Sequence, residues 1–178
     1  MNRFHSVLLM VLAPWQIVIP QSKGPIEFGI THLDIVANGR ADVVVKADVP
    51  RSAHSEFIYT FYFSEVDSLS GKSVLNLLRI KRDKGWDYYV TTRGGIECIL
   101  KEIRLTKISP DYKGLQLIIA ERGFGSYVEK RGVTFKFYRL SLDRVDGVPL
   151  YFFEEYKKVS PKRRYCDVNE AFKTELGL

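Results

Sequence analysis

Along the chain, apolar and polar positions alternate in short runs of strand length, punctuated by turn residues. The densest run is Glu56 to Phe63. Aromatic and β-branched residues fill seven of its eight positions, the composition of a central strand packed on both faces. Before it, Phe28 to Ala37 and Ala41 to Val49 flank Asn38-Gly39, a strong hairpin signal because both residues tolerate the left-handed backbone of a tight turn. After it, Ser73 to Ile80, Trp86 to Thr91, Ile96 to Ile108 and Leu115 to Ala120 read as further strands, although Cys98 to Ile103 also fits a helical turn or two. Val133 to Leu142 and Val148 to Tyr156 predict a second hairpin, and Glu121 to Gly132, glycine-rich and without apolar period, predicts a loop. At the end, Asp167-Val168-Asn169-Glu170 fits a capping box, with Val168, Phe172 and Leu176 on one helical face. The expected fold is mainly β: an antiparallel β-sandwich, or a partly open barrel, with a short C-terminal helix.

Length sets the domain count. With 178 residues, 46% of them hydrophobic, the chain can bury one sizeable core and not two. Residues 1–22 read as a signal peptide, with Arg3 ahead of an apolar run from Val7 to Ile19, and 23–178 as a single domain. That places the protein in the periplasm or outside the cell. The competing reading makes Val7 to Ile19 a buried first element. Pro14 and Gln16 interrupt the run short of the roughly 20 apolar residues a membrane span needs, so no transmembrane segment is expected. In an oxidising compartment Cys98 and Cys166 are free to pair; otherwise they are two buried thiols.

A net charge of +6 allows an anionic partner without demanding one. The densest cationic stretch is Lys157, Lys158, Lys162, Arg163 and Arg164, joined at a loop by Lys81, Arg82 and Lys84. Its alternative is a solvated connector before the helix. Ser70-Gly71-Lys72-Ser73 imitates a phosphate loop, but Val66 stands where that motif needs glycine. Arg122-Gly123-Phe124-Gly125 opens like an RNA-recognition motif, yet Ser126 takes the place of its second stacking aromatic. His32, Asp34 and His54 lack a metal-site spacing, and Glu154 and Glu155, adjacent on a strand, point to opposite faces. The chain is therefore expected to be no enzyme, with no cofactor, no metal and no nucleic acid.

The aromatic strand, Tyr138-Arg139-Leu140-Ser141-Leu142-Asp143 and Gly147-Val148-Pro149-Leu150-Tyr151-Phe152-Phe153 together resemble a bacterial family of exported β-sandwich proteins of unknown activity. Some of its members look like immunity proteins encoded beside toxins. The resemblance covers Phe57 to Tyr156 and implies a protein-binding module that blocks a secreted antibacterial toxin by occluding its active site. The loop residues Arg122, Phe124, Tyr127, Glu129, Lys130 and Arg131 supply ring and guanidinium contacts of the kind that dominate interfaces. Two other classes stand beside this one: an envelope lipid- or glycan-binding protein using the basic patch or a cleft between sheets, and a small hydrolase.

Overall fold

The computed structural model describes residues 25–49, 55–95, 97–107, 112–145 and 148–178; the expected signal peptide and His54 lie outside them. Among the described residues twelve strands run in order, beginning with β1 (Gly29–Leu33), β2 (Asp42–Asp48), β3 (Glu56–Val66), β4 (Ser73–Leu77), β5 (Arg79–Lys81) and β6 (Trp86–Asp87). They continue as β7 (Val90–Gly94), β8 (Ile99–Thr106), β9 (Gln116–Arg122), β10 (Arg131–Val145), β11 (Val148–Val159) and β12 (Arg164–Tyr165). Helix α1 (Val168–Ala171) passes into a wider turn over Phe172–Leu176. All strands join one unclosed sheet, β1-β2-β3-β7-β8-β9-β10-β11-β5-β6, with β4 beside β3 and β12 beside β10. The fold is mainly β, as the alternation predicts, and Cys98 to Ile103 resolves as the approach to β8 and its first half.

The sheet folds over on itself. Rings from β3 and β11, strands that share no ladder, meet across the interior: Phe61 on Phe153 at 5.6 Å and Phe63 on Tyr151 at 5.0 Å, both edge-to-face. This larger core also takes Leu33, Val44, Tyr59, Ile80, Ile103 and Leu117. A smaller core lies on the outer face, where Ile118, Ala120, Val133, Phe135 and Phe137 are roofed by Tyr165, Val168, Ala171 and Phe172. Strand β9 serves both. Leu117 and Ile119 face the large core, while Ile118 and Ala120 face the small one, as the two-residue side-chain period requires.

Four expectations are modified. β3 is the expected inner strand, paired with β2, β4 and β7, but only Tyr59, Phe61, Phe63 and Ser64 are buried. Its other face, with Ile58, Thr60 and Tyr62, is half-covered, so one side is packed and not both. The Asn38-Gly39 hairpin forms, yet its ladder closes at Leu33 and Asp42, leaving a wide loop. Two carboxylates explain the width: Asp34 accepts from Asn38 and Gly39 N–H, and buried Asp42 accepts from Val36 and Ser64 N–H. Burial raises the Asp42 pKa, against the opposing pull of those two N–H groups. The run from Ser73 to Ile80 breaks at Leu78, whose N–H bonds to Phe61 O, so β4 pairs with β3 while β5 crosses over to lie parallel to β11. Finally, Asp167 caps α1 through Asn169 N–H, but Glu170 faces Arg163 at 3.9 Å in place of closing the box.

Candidate functional site

Two surfaces gather the residues singled out from the sequence. The first is the loop between β9 and β10. Along β9, Arg122 follows Ile118 and Ala120 on the face under the helix, so its guanidinium is sent inward and only 5% of the residue is exposed. There it donates to the carbonyls of Ser126 (2.6 Å), Tyr127 (3.1 Å), Glu129 (2.8 Å) and Cys166 (3.3 Å). A planar fork satisfies several carbonyls that a turn of this shape would otherwise leave to water. Arg122 thus holds the loop from beneath and is not presented by it. Strand alternation was the signal: an arginine at an inward position of an apolar strand.

On the loop itself Phe124 is fully exposed, Arg131 pairs with Glu129 at 2.8 Å, Lys130 is exposed, and the Arg93 guanidinium sits 5.7 Å over the Tyr127 ring. A Cβ at Gly125 would meet Arg131 Nε at 2.8 Å, so a side chain there would push the Arg131 guanidinium aside. Cys98 and Cys166 are joined in a disulfide with Cα atoms 5.6 Å apart, which ties the approach to β8 to the segment entering α1, beside the Arg122 clamp.

The second surface is a groove of about 780 Å³ formed where β5 lies parallel to β11. The register sets Lys81 opposite Glu154, and so carries the basic turn Lys81 to Lys84 alongside Lys157 and Lys158. Lys136 of β10 completes the lining, with Asp83, Glu155 and Tyr156. A bulge between Phe137 and Tyr138 re-aims the end of β11: Lys157 lies 5.4 Å over the Phe137 ring, and Lys158 stands directly opposite Lys136. The Lys81 ammonium, 2.8 Å away, holds the Glu154 carboxyl below its usual range. Arg82 pairs with Asp87 and donates to the hydroxyl of Tyr138, whose pKa burial pushes up to about 12. Lys162, Arg163 and Arg164 do not line this groove; Arg163 lies over Tyr165 and faces Glu170, and Arg164 pairs with Gly132.

Arg82 also lines a neighbouring depression of about 280 Å³ with Trp86, Tyr88, Tyr89 and Lys101. Lys101 in turn lines a third, of about 530 Å³, that reaches Arg93, Tyr127 and Phe124. Burial pulls the Lys101 pKa down. Sequence reasoning passed over Lys101, Lys136 and Arg93, because scattered cations show no local cluster until non-local pairing assembles them. It also passed over a buried polar group at the helix: Tyr59 donates to Glu102 at 2.9 Å, and Arg104 bonds Asn169 with its guanidinium 4.8 Å over Phe172. His32 is exposed and Asp34 is engaged with its loop; among the described residues no three His, Cys, Asp or Glu side chains stand together as a metal site. Among the same residues no helix is long and apolar enough to cross a membrane.

What the geometry defines is a mainly-β protein, an open folded-over sheet with a helix-roofed outer face, a clamped aromatic loop and a cation-lined groove. Its fold is similar to the crystal structure of CarG, with a TM-score of 0.67 at 23% identity over 85% of this chain and 93% of that one. The chain belongs to the CarG-like family, described as carbapenem resistance protein CarG-like, whose model matches residues 26–174. The resemblance to a bacterial β-rich family read from the sequence is consistent with that membership. No functionally curated protein matches the chain.

Proposed function

We propose that the protein is a non-enzymatic, exported binding protein of the immunity kind, which protects its cell by covering a protein surface stoichiometrically and without turnover. The observation that supports this reading is the fully exposed Phe124 on a loop already held in shape by Arg122. A ring on a pre-ordered loop loses little conformational entropy on docking, and an aromatic anchor in a desolvated pocket is a frequent source of most of an interface's energy. The Glu129–Arg131 pair beside it supplies a charged rim that fixes orientation.

The family's description, carbapenem resistance, names the agent in this reading, in place of the secreted toxin suggested by the sequence. A carbapenem is too small to be occluded as a toxin's active site is, so the loop's partner is a protein of the same compartment. The test compares a carbapenem-sensitive host expressing the full chain, Phe124→Ala or nothing. The full chain should raise the inhibitory concentration, and Phe124→Ala, an exposed position that leaves the fold intact, should return it to the control. Loss of β-lactam absorbance on mixing purified protein with drug would replace binding by hydrolysis and sink the reading.

A further inference from the structure

We propose that the groove between β5, β10 and β11, with the tyrosines beside it, binds an acidic oligosaccharide. This goes beyond the Phe124 reading and does not rest on it.

Lys136 and Lys158 are direct cross-strand partners. Residues so placed share one face of the sheet with Cβ atoms about 5 Å apart, and like charges there are destabilising. Neither lysine has an acid within ion-pair distance among the described residues, in contrast to Lys81 and Arg82 in the same groove. Selection for stability alone would set an acid opposite one of them. An anion seated between the two ammonium groups removes the repulsion, and the surrounding groove, at about 780 Å³, has the size of a ligand cleft.

The neighbouring depression supplies the second half of the chemistry. Arg82 lines both the groove and the depression that holds Tyr88 and Tyr89, which are 49% and 53% exposed. The Trp86 ring is covered by the Arg79 guanidinium at 4.7 Å, so the two tyrosines are the rings available to a ligand. An amphipathic ring beside a polar cleft suits a sugar, whose C–H face stacks on the ring while its hydroxyls reach outward.

The acids decide among anionic ligands. Asp83 and Glu155 stand among the lysines. They would repel a phosphodiester backbone, whose charges repeat at every unit. A sugar acid carries hydroxyl donors that those carboxylates accept, alongside the carboxylate that the lysines hold. A bilayer is disfavoured by shape, because a plane of headgroups meets only the rims of a concave groove.

The experiment titrates the full chain, by calorimetry and amide chemical shifts, with a hexagalacturonate, its methyl ester, single-stranded DNA and phosphatidylglycerol vesicles. Hexagalacturonate should bind, shifting amides of Lys136, Lys158 and Tyr88. The methyl ester, of the same shape without the charge, should bind at least tenfold more weakly. Lys136→Ala with Lys158→Ala should weaken hexagalacturonate binding tenfold or more and flatten its salt dependence. Tyr88→Ala with Tyr89→Ala, both at exposed positions, should weaken it similarly with the salt dependence kept. Phe124→Ala should leave it unchanged, which separates this site from the loop. DNA or vesicles bound as tightly as hexagalacturonate, tyrosine variants binding as wild type, or no binding of hexagalacturonate would each overturn the proposal.

Discussion

At the scale of single residues, the outcome turns on where long cations are sent. Arg122 and Arg131 both read from the sequence as loop residues offered to a partner, yet strand alternation sends Arg122 inward, onto four carbonyls. Charge-assisted bonds of this kind are each worth about 1.5–3 kcal/mol, but they overlap here, and water reaches most of the released carbonyls. Arg122→Ala should therefore cost about 2–3 kcal/mol in urea unfolding, and Arg122→Lys should recover little, since an ammonium lacks the planar fork. Full stability in Arg122→Lys would show that charge alone holds the loop. Lys101 makes a pH prediction. Burial depresses its pKa below the ordinary 10.5; Arg82 and Lys136 push the same way, while Glu121 and Asp87 oppose. Between the depressed value and 10.5 the unfolded chain binds more protons than the folded one, so raising the pH favours the fold. The stability of wild type relative to Lys101→Met should climb as the pH rises toward the ordinary 10.5. A flat difference would mean that water reaches the ammonium freely.

At the scale of elements, local chemistry was legible and its exact span was not. The second hairpin, the strand before it and the terminal helix were readable because each rests on short-range signals: alternation, turn residues, a capping aspartate. The wide β1–β2 loop was not, because Asp42 is recruited to it by Ser64, far along the chain. The disulfide was legible only as a choice, since sequence cannot bring Cys98 to Cys166 across 68 residues. In the chain-entropy model a loop of that length is worth about 4 kcal/mol. Replacing both cysteines by serine should lower urea stability by about that much, and should speed amide exchange in residues 123–130, whose clamp includes Cys166 O. An undisturbed loop in the double variant would assign its order to Arg122 alone. The helix is held by its apolar face: Phe172 is fully buried and meets Phe135 at 5.5 Å. Phe172→Ala should cost about 3–5 kcal/mol, read by the same unfolding curves.

At the scale of the whole molecule, what the sequence withheld is pairing between distant segments. Nothing local says that a single apolar run splits at Leu78 so that one half joins β3 and the other β11, and that split is what assembles the groove. The cations of the groove come from three separated stretches of chain; the sequence suggested joining Lys81, Arg82 and Lys84 to Lys157 and Lys158, and gave no sign of Lys136. The same continuity of the sheet predicts how the protein opens. Because β9 gives one face to each core, neither core can be lost while β9 stays fully packed, and six of its seven residues are buried. By contrast β1 and β6 stand at the two ends of the sheet, each with a single neighbour among the described residues. Local opening should follow that order, with amides at the ends released by small fluctuations and those of β9 only by global unfolding. Hydrogen exchange should then find β9 slowest, with an opening free energy equal to that from denaturant, and β1 and β6 among the fastest strands. Phe61→Ala, in the large core, and Phe172→Ala, in the small one, should each lower the protection of β9 by their full effect on stability. If Phe172→Ala instead left β9 untouched while freeing the helix, the small core would be a separate unit, and the two faces of the sheet would unfold independently.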